Sequence, residues 1–409
     1  MPLSREAAPS SPTRTFGHAV LDLEEELGVV TPEMRAVIDD LEREAQSKVG
    51  KLTEPTSRTV EAALATFHRI LTERGFVVAP DGYVDRLSDA LTPVLLSGTE
   101  LEALRRSFYN QGERARWLAA HAVADSVAVY VGDCDTLSFL YLSMADAVGL
   151  PLALVERPGG DGVVGHNWVQ WSSGSERVAW ETLQGTVYPD GRAPLSRPEA
   201  FGYVRRLVGL EWERRGIHAR AARQYQLAVE GFPVAAALNN YAWVLATSSD
   251  PSVRNPDVAK KMAQAAIEKG CNADRLDTAA AAYAAAGDFA EAVVLEQAAS
   301  RLEKDPTERA VFEHRTELYA RGVPYVRARP TRDRRISDCI YAVDKLRTGQ
   351  DPTQLRRGCL GLDDSMHSAS WGKLEAAILS RPPQVLPASG FAIPKGCPRP
   401  PETPMLRGP

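Results

Sequence analysis

The sequence predicts an α+β fold: a mostly helical N-terminal part, a core in which a cysteine-bearing helix packs against an antiparallel sheet, and an α-helical repeat domain. Three observations carry this prediction. Apolar residues recur at helical spacing from Ala19 to about Ala128. Residues 131–200 then combine one helical pattern with short apolar segments bounded by turn residues. From Tyr203 to Glu303 the helical pattern returns, with small residues in register.

Length and composition are those of an ordinary globular protein. The chain has 409 residues, enough for two or three domains that bury their own cores without disulfides or metals as staples. Apolar residues make up 44% and charged residues 25%, and the formal net charge is −5. This balance gives no sequence-independent attraction to nucleic acid or to anionic lipid. We therefore expect neither nucleic acid nor a membrane as a partner, and no apolar run is long enough to span a membrane.

The cysteines are few and widely scattered. None belongs to a Cys-x-x-Cys motif, which argues against a zinc ribbon, a redox dithiol and a dense disulfide framework. The pattern predicts reduced thiols and a cytoplasmic location, and we predict neither a metal nor a cofactor. Whether the late cysteines pair stays open, because spacing does not give connectivity. The five are Cys134, Cys271, Cys339, Cys359 and Cys397.

The N-terminal part begins with a predicted disordered tail, residues 1–18, rich in Pro, Ser and Ala. Residues 19–200 form the next predicted domain. Its helical part includes a stripe of apolar residues at helical spacing, which would face a core. The stripe consists of Val60, Ala63, Leu64, Phe67, Ile70 and Leu71.

A helix and three strands follow in this domain. Asp135 to Val148 has one apolar face and ends at Gly149 and Pro151, both of which stop helices. A turn of small polar residues, 172–175, separates the last two apolar segments and predicts a hairpin. The predicted strands are Leu152–Glu156, His166–Trp171 and Arg177–Thr182.

Alanine pairs seven residues apart recur in residues 203–320 at intervals of 38 and 33 residues. They are Ala221 and Ala228, Ala259 and Ala266, and Ala292 and Ala299. The pattern resembles tetratricopeptide repeats, whose period is about 34 residues and whose small side chains let paired helices approach closely. A generic helical bundle rich in alanine is the alternative.

Residues 321–409 are predicted to be a linker and a weakly structured tail, because prolines recur through them. An arginine cluster at 327–335 has almost no aromatic residues between its charges. We interpret it as a solvated linker rather than as a nucleic-acid site. Two short helices are predicted, near 337–347 and 370–379.

Cys134 is the candidate nucleophile. It directly precedes the predicted helix, where unsatisfied N–H groups and the helix dipole favour a thiolate. Asp133 and Asp135 oppose this, because like charges disfavour a second anion. His166, at the start of a predicted strand, can supply the missing positive charge and serve as the base.

Glu181 is the candidate that orients the histidine. It lies on the other strand of the predicted hairpin, near His166 in the ladder, but the pattern leaves its face open. If both side chains share a face, Glu181 accepts a hydrogen bond from one imidazole nitrogen and leaves the other for Cys134. Trp171 and Trp180, on the two strands of the same hairpin, are predicted to be core residues that form a cross-strand pair.

These residues and their surroundings resemble the transglutaminase-like cysteine hydrolase superfamily, whose chemistry is papain-like. The matching pieces are Gly-Asp-Cys134 before a helix, the Gly149-Leu-Pro151 stop, His166 with Trp168, and Trp180-Glu181-Thr182. The resemblance covers roughly residues 130 to 190. It implies Cys134 as nucleophile, His166 as general base and acid, and Glu181 as the orienting carboxylate, where the family usually has Asp. The backbone N–H of Cys134 is the first oxyanion donor, and a second is not assigned.

A Gly-x-Gly-x-x-Gly run at 160–165 matches a dinucleotide-binding fingerprint in its letters. That fingerprint must open a helix whose N-terminus holds the pyrophosphate, whereas this run leads into the strand of His166. We interpret the run as a flap beside the base, because glycines give such a loop its freedom.

Together these features predict a cysteine hydrolase that cleaves peptide or protein amide bonds through a thioester acyl-enzyme. Water is the simpler acyl acceptor, and an amine would turn the same intermediate into a cross-link. The repeats would select a protein partner or substrate. The alternative is a catalytically inactive scaffold for protein interactions, which the acidic neighbours of Cys134 and the presence of Glu181 in place of Asp favour.

Overall fold

The computed structural model describes residues 14–78, 86–98, 101, 126–158, 165–188, 191–327 and 397. These residues confirm the α+β class, with twelve helices and two small sheets among them. They fall into two compact units, one ending at Val208 and the other beginning at Gly209. None of the described helices has the length and apolar character of a membrane-spanning segment.

The first unit holds five helices, the start of a sixth and seven strands among its described residues. The helices are α1 (Phe16–Glu25), α2 (Pro32–Val49), α3 (Ser57–Glu73), α4 (Leu87–Ala90), α5 (Cys134–Val148) and α6 (Arg197–Arg214). The strands are β1 (Phe76–Val78), β2 (Val94–Ser97), β3 (Ser126–Gly132), β4 (Leu152–Arg157), β5 (His166–Ser173), β6 (Glu176–Glu181) and β7 (Thr186–Val187).

Helix α1 replaces the end of the predicted disordered tail. The prediction of a tail over residues 1–18 is wrong from Phe16 onward, and residues 1–13 lie outside the described part of the chain. Phe16 is fully buried, its ring stacks on that of Phe201 with centroids 5.0 Å apart, and its N–H donates to Asp146. Local composition does not reveal these contacts, because both partners are distant in the sequence.

The first sheet has the order β1–β3–β2. The helical prediction for Ala19 to about Ala128 is wrong for β1, for β2 and for the first residues of β3. β1 pairs in parallel with β3, where Phe76 lies opposite Tyr130, and β2 pairs antiparallel with β3. β1 has three residues and β2 four, which is too short to show a clear hydrophobic period along the sequence.

Helix α5 confirms the predicted helix and begins one residue earlier, at Cys134. Gly149 ends it in the left-handed conformation (φ 75°), which favours glycine, and Pro151 follows. Every residue from Thr136 to Ala145 is buried, and the helix packs against α1, α2, β4 and β5. It is therefore the central element of the first unit.

The second sheet is antiparallel, in the order β4–β5–β6–β7, and confirms the predicted hairpin. Successive side chains of a strand point to opposite faces. On one face Trp180 Nε1 donates to the hydroxyl of Tyr141, so this face packs against α5. His166 and Glu181 share the other face and are hydrogen-bonded there. Of the glycine-rich run at 160–165, all but the last residue lies outside the described part of the chain, and so does the predicted flap.

The second unit is helical. It contains the end of α6 and helices α7 (His218–Gly231), α8 (Ala235–Thr247), α9 (Pro256–Glu268), α10 (Ala273–Ala286), α11 (Phe289–Leu302) and α12 (Pro306–Ala320). Consecutive helices pack against each other from α7 to α12, and α8 also packs against α10. The six alanines of the register are all fully buried, two in each of α7, α9 and α11.

The second unit begins and ends later than predicted. Its first residue, Gly209, lies inside α6 rather than at a boundary near residue 200. Residues 321–327, predicted as the start of a linker, pack on the unit instead: Arg327 is buried and its N–H donates to the carbonyl oxygen of Thr247 (2.8 Å). Apart from Cys397, everything beyond residue 327, including the two predicted short helices, lies outside the described residues.

A disulfide joins Cys271, between α9 and α10, to Cys397. The prediction of reduced thiols is therefore wrong for these two cysteines. They are 126 residues apart, and spacing alone does not give such a pairing. Cys134 is free.

Candidate active site

Cys134 is the first residue of α5. Asp133 caps this helix: its Oδ1 accepts hydrogen bonds from the N–H groups of Asp135 (3.1 Å) and Thr136 (3.0 Å). Thr136 Oγ1 accepts in turn from the N–H of Asp133 (2.9 Å). This capping box determines where the helix begins, and it does not use the N–H of Cys134.

The Cys134 thiol lies in an acidic, partly buried place. Its Sγ is 3.7 Å from Oδ1 of Asp135 and also meets the backbone N–H of Asn167. Burial raises the pKa of the thiol well above its ordinary value, and the charges of Asp135 and Asp133 raise it further. The hydrogen bond from Asn167 lowers the pKa but does not offset these effects. Cys134 is therefore a neutral thiol at neutral pH.

His166 and Glu181 form a hydrogen-bonded pair. The Nε2 atom of His166 lies 2.5 Å from Oε2 of Glu181, and only 15% and 7% of the two side chains are exposed. Glu181 Oε1 accepts from the N–H of Leu183 (3.0 Å), which holds the carboxylate in place. When Nε2 donates its proton to Glu181, the lone pair is on Nδ1, and this nitrogen can act as a base.

The register of the hairpin explains this pair. Val169 lies opposite Trp180, which places Glu181 opposite Trp168 and makes it the diagonal neighbour of His166. Diagonal neighbours lie about 7–8 Å apart, within the reach of a glutamate. The condition set by the sequence, that both side chains share a face, is thereby confirmed.

Cys134 lies beside the strand of His166. Among the described residues, the hydrogen-bond partners of its sulfur are Asp135 and the N–H of Asn167, the residue that follows His166. The imidazole of His166 is not one of them, so the complete triad stays a prediction. His166 and Asn167 are adjacent in β5, so their side chains point to opposite faces of the sheet, that of Asn167 towards Asp135 of α5 and that of His166 towards Glu181.

Asp135, Asn167 and Tyr203 form a hydrogen-bonded network that was not predicted from the sequence. Asn167 Nδ2 donates to Asp135 Oδ1, and the Tyr203 hydroxyl donates to Oδ2 (2.9 Å). Loss of hydration raises the pKa of Asp135, while the hydrogen bond from Tyr203 and the charge of Arg206 oppose the rise. In the sequence, the position of Asn167 directly after His166 is the one feature that points to this network. Nothing local in the sequence points to Tyr203, because it is 68 residues from Asp135.

Aromatic side chains surround His166 on its face of the sheet. Its ring stacks with that of Trp168, centroids 6.0 Å apart, and meets Tyr188 edge-on at 5.9 Å. Trp168 is fully buried, and Trp171 and Trp180 are nearly so, which confirms the last two as core residues. The register makes Trp171 and Trp180 diagonal rather than direct partners.

One cluster of described residues has the donor atoms of a metal site. His18 in α1 and Asp39 and Glu42 in α2 each place one such atom within 4.8 Å of the others. These atoms are already engaged: His18 Nε2 is 2.9 Å from Asp39 Oδ1, and Glu42 Oε1 accepts from the hydroxyls of Thr15 (2.5 Å) and Ser143 (2.6 Å). Hydrogen bonds account for the arrangement without an ion.

No protein-family model, curated protein or solved structure matches the chain. The resemblance to transglutaminase-like hydrolases therefore depends on the residues of α5, β5 and β6 themselves.

Proposed function

We propose that the chain is a transglutaminase-like cysteine hydrolase that acts on peptide or protein amide bonds, with Cys134 as nucleophile. One observation carries the proposal: Nε2 of His166 lies 2.5 Å from Oε2 of Glu181, on the strand whose next N–H meets the Cys134 sulfur. This pair supplies the base and the orienting acid of a triad. The remaining contact, between the Cys134 thiol and Nδ1 of His166, is part of the proposal and forms as substrate binds.

The reaction begins with the neutral Cys134 thiol. His166 Nδ1 takes the thiol proton as the sulfur attacks the amide carbonyl carbon and a C–S bond forms. The tetrahedral intermediate collapses, the C–N bond breaks, and the imidazolium gives its proton to the leaving amine. Water then attacks the thioester and passes a proton to His166. The C–S bond breaks, the sulfur regains the proton, and the carboxylic acid leaves. An amine in place of water completes the same cycle as acyl transfer.

The raised pKa of the Cys134 thiol favours one form of this mechanism. A thiolate–imidazolium pair that exists before substrate binds needs a lowered thiol pKa, whereas Asp133 and Asp135 raise it. Proton transfer to His166 therefore accompanies the attack, as general-base catalysis. Glu181 assists by stabilising the imidazolium that forms.

The N–H of Cys134 is the proposed first oxyanion donor. The cap of α5 uses the N–H groups of Asp135 and Thr136 and not this one. The donor lies at the positive end of the helix dipole, where a developing negative charge is stabilised.

Helices α7–α12 are the proposed selector of the protein partner or substrate, as tetratricopeptide-like repeats. The alanines of α7, α9 and α11 are buried at matching positions, and α8 packs against α10 as well as against α9. In repeat proteins such stacking of successive helix pairs builds an extended binding surface.

An activated ester tests the proposal without knowledge of the substrate. The full-length protein is incubated with p-nitrophenyl acetate, and mass spectrometry follows acetylation. We expect acetyl transfer to Cys134 with turnover, no labelling there in Cys134→Ala, and a rate lowered about 10²–10⁴-fold in His166→Gln. His18→Gln, in α1, is the matched control and should behave as wild type. Equal rates for His166→Gln and wild type would overturn the proposal.

A protein-interaction scaffold without activity is the second candidate function. The acidic surroundings of the Cys134 thiol favour it, because Asp133 and Asp135 suppress the thiolate. If the protein is a scaffold, the ester acetylates Cys134 no faster than it acetylates an unfolded peptide of the same local sequence. The wild type and the Cys134→Ala variant then capture a protein partner equally well. Turnover that disappears with Cys134 excludes this alternative.

A further inference from the structure

We call residues 323–327 the strap. This segment begins three residues after the end of α12 and lies across other helices of the second unit. Gly322, with φ 70°, lets the chain reverse at the end of α12. The strap then runs without regular secondary structure to Arg327, whose N–H donates to the carbonyl oxygen of Thr247, at the end of α8 (2.8 Å).

Tyr325 is the aromatic contact of the strap. Its ring stacks on that of Trp243 in α8, with centroids 5.9 Å apart and planes 29° apart. The guanidinium of Arg315, from α12, lies 4.8 Å from the Tyr325 centroid and 5.0 Å from the Trp243 centroid. Asp277 of α10 forms an ion pair with Arg315 and holds it there. Three helices thus supply the surroundings of one strap side chain.

Arg327 is the charged contact of the strap. It is 8% exposed, and its Nη1 donates to Glu213 in α6, whose carboxylate also accepts from the Tyr225 hydroxyl (2.6 Å). Among the described residues, Arg327 Nε and Nη2 have no hydrogen-bond partner. A buried donor without a partner destabilises the docked state. The strap is therefore held less firmly than a fully satisfied segment of the core.

We propose that the strap fills, in cis, a peptide-binding site formed by Glu213, Trp243 and Arg315. In trans, the same site binds a peptide segment of another protein. That segment has an aromatic residue and an arginine two positions later, as Tyr325 and Arg327 are spaced in the strap. The two compete for the same contacts, so the site stays closed until the partner displaces the strap. The proposal does not depend on any activity of Cys134.

Charge and shape specify the chemistry of this partner. The Glu213 carboxylate calls for a cation, and arginine suits a buried ion pair because it is more weakly hydrated than lysine. The half-buried Trp243 ring takes a second aromatic ring. A partner that places an acceptor beside its own arginine satisfies the two donors of that arginine whose counterparts, Nε and Nη2, are unpaired in Arg327, and it therefore binds better than the strap.

A fluorescent peptide that copies residues 321–327, Arg-Gly-Val-Pro-Tyr-Val-Arg, is the probe. Anisotropy measures its binding to the full-length wild type and to the double variant Tyr325→Ala, Arg327→Ala, which opens the site. We expect binding to the double variant to be at least about tenfold tighter, because the site no longer has to be vacated. Adding Trp243→Ala to the double variant should abolish binding of the peptide. A control peptide with Ala in place of Tyr and of the second Arg should not bind to the double variant. Equal affinities, or no binding to either protein, would overturn the proposal.

Hydrogen exchange on the wild-type protein provides a second test, which does not depend on whether the double variant folds. We expect saturating peptide to speed exchange of the strap amides, that of Arg327 above all, and to leave α10 unchanged. Strap exchange that does not respond to the peptide overturns the proposal. A wild-type dimer that the peptide dissociates would assign the strap to a second copy, and occupation in cis would then be wrong.

Discussion

Glu181 reaches His166 along a diagonal of the β5–β6 ladder, with Oε2 2.5 Å from Nε2. Its other carboxylate oxygen accepts the N–H of Leu183, so the group cannot turn away without losing a hydrogen bond. The pair thereby favours the tautomer in which Nδ1 carries the lone pair. Whatever substrate the site takes, this relation determines which nitrogen can serve as the base.

Replacing Glu181 by Gln should slow acetylation of Cys134 by p-nitrophenyl acetate about 10²–10⁴-fold. An amide does not stabilise the imidazolium and can hold the ring in the wrong tautomer. Mass spectrometry gives the rates. Glu176→Gln, on the same strand but exposed, is the matched control and should react as wild type. An unchanged rate in the Glu181 variant contradicts the role proposed for this carboxylate.

Replacing Asp135 by Asn should make the Cys134 thiol more acidic. Asp135 is the larger of the two charges that raise the thiol pKa, and each unit by which that pKa falls raises the thiolate fraction about tenfold. Alkylation by iodoacetamide, followed across the alkaline range, should therefore speed up. Asp133→Asn keeps an N-cap and removes the weaker charge, so its effect should be smaller. A slower reaction in Asp135→Asn would show that the carboxylate does not suppress the thiolate.

Because of Glu24, the free energy of unfolding should decrease as the pH rises. Its buried carboxyl accepts the N–H groups of Leu87 and Ser88, both at 2.8 Å, and burial raises its pKa from 4.5 to about 7. Folding favours the protonated form, so this contribution is fully present below pH 4.5 and is lost as the pH rises through about 7. One pKa unit corresponds to about 1.4 kcal/mol, which bounds the loss at about 3 kcal/mol.

The pH dependence of the urea midpoint tests this for the full-length chain. Glu24→Gln should flatten the decline between pH 4.5 and about 7, because the side chain no longer titrates. A decline as steep as that of the wild type would assign the effect to other groups.

Replacing the buried Ala221 by Leu should destabilise the second unit by about 1–3 kcal/mol, since extra methylenes do not fit a well-packed helix contact. Ala219→Leu, on the same helix but exposed, should be nearly neutral. Thermal unfolding followed by circular dichroism compares them. Equal effects of the two substitutions would mean that the alanine register does not reflect close helix packing.

Removing the disulfide between Cys271 and Cys397 should also destabilise this unit. The bond closes a loop of 126 residues, and such cross-links contribute on the order of 2–4 kcal/mol by restricting the unfolded chain. Cys271→Ser and treatment with a reductant should lower the unfolding midpoint by the same amount, and the variant should not respond to reductant. Cys134→Ser, which removes the free thiol, is the control. A variant that still responds to reductant would point to a different bridge.

The parts of the site that the sequence predicts are those encoded in consecutive residues. The end of α5 follows from Gly149, whereas its start was predicted at Asp135 and the cap formed by Asp133 and Thr136 places it at Cys134. The hairpin follows from polar residues between two apolar segments. Alternation along its strands then allows His166 and Glu181 to share a face, although the register had to come from the structure.

By itself the amino-acid order determined the short-range features of this protein: where α5 ends, where β5 turns into β6, and which alanines repeat along α7, α9 and α11. Only the folded chain decided what meets across long separations. Phe76 lies beside Tyr130, Tyr203 donates to Asp135, and Cys271 is bonded to Cys397. Caps and turns are local because their hydrogen bonds join neighbours, whereas these contacts form only when burial of many residues offsets the entropy of closing long loops.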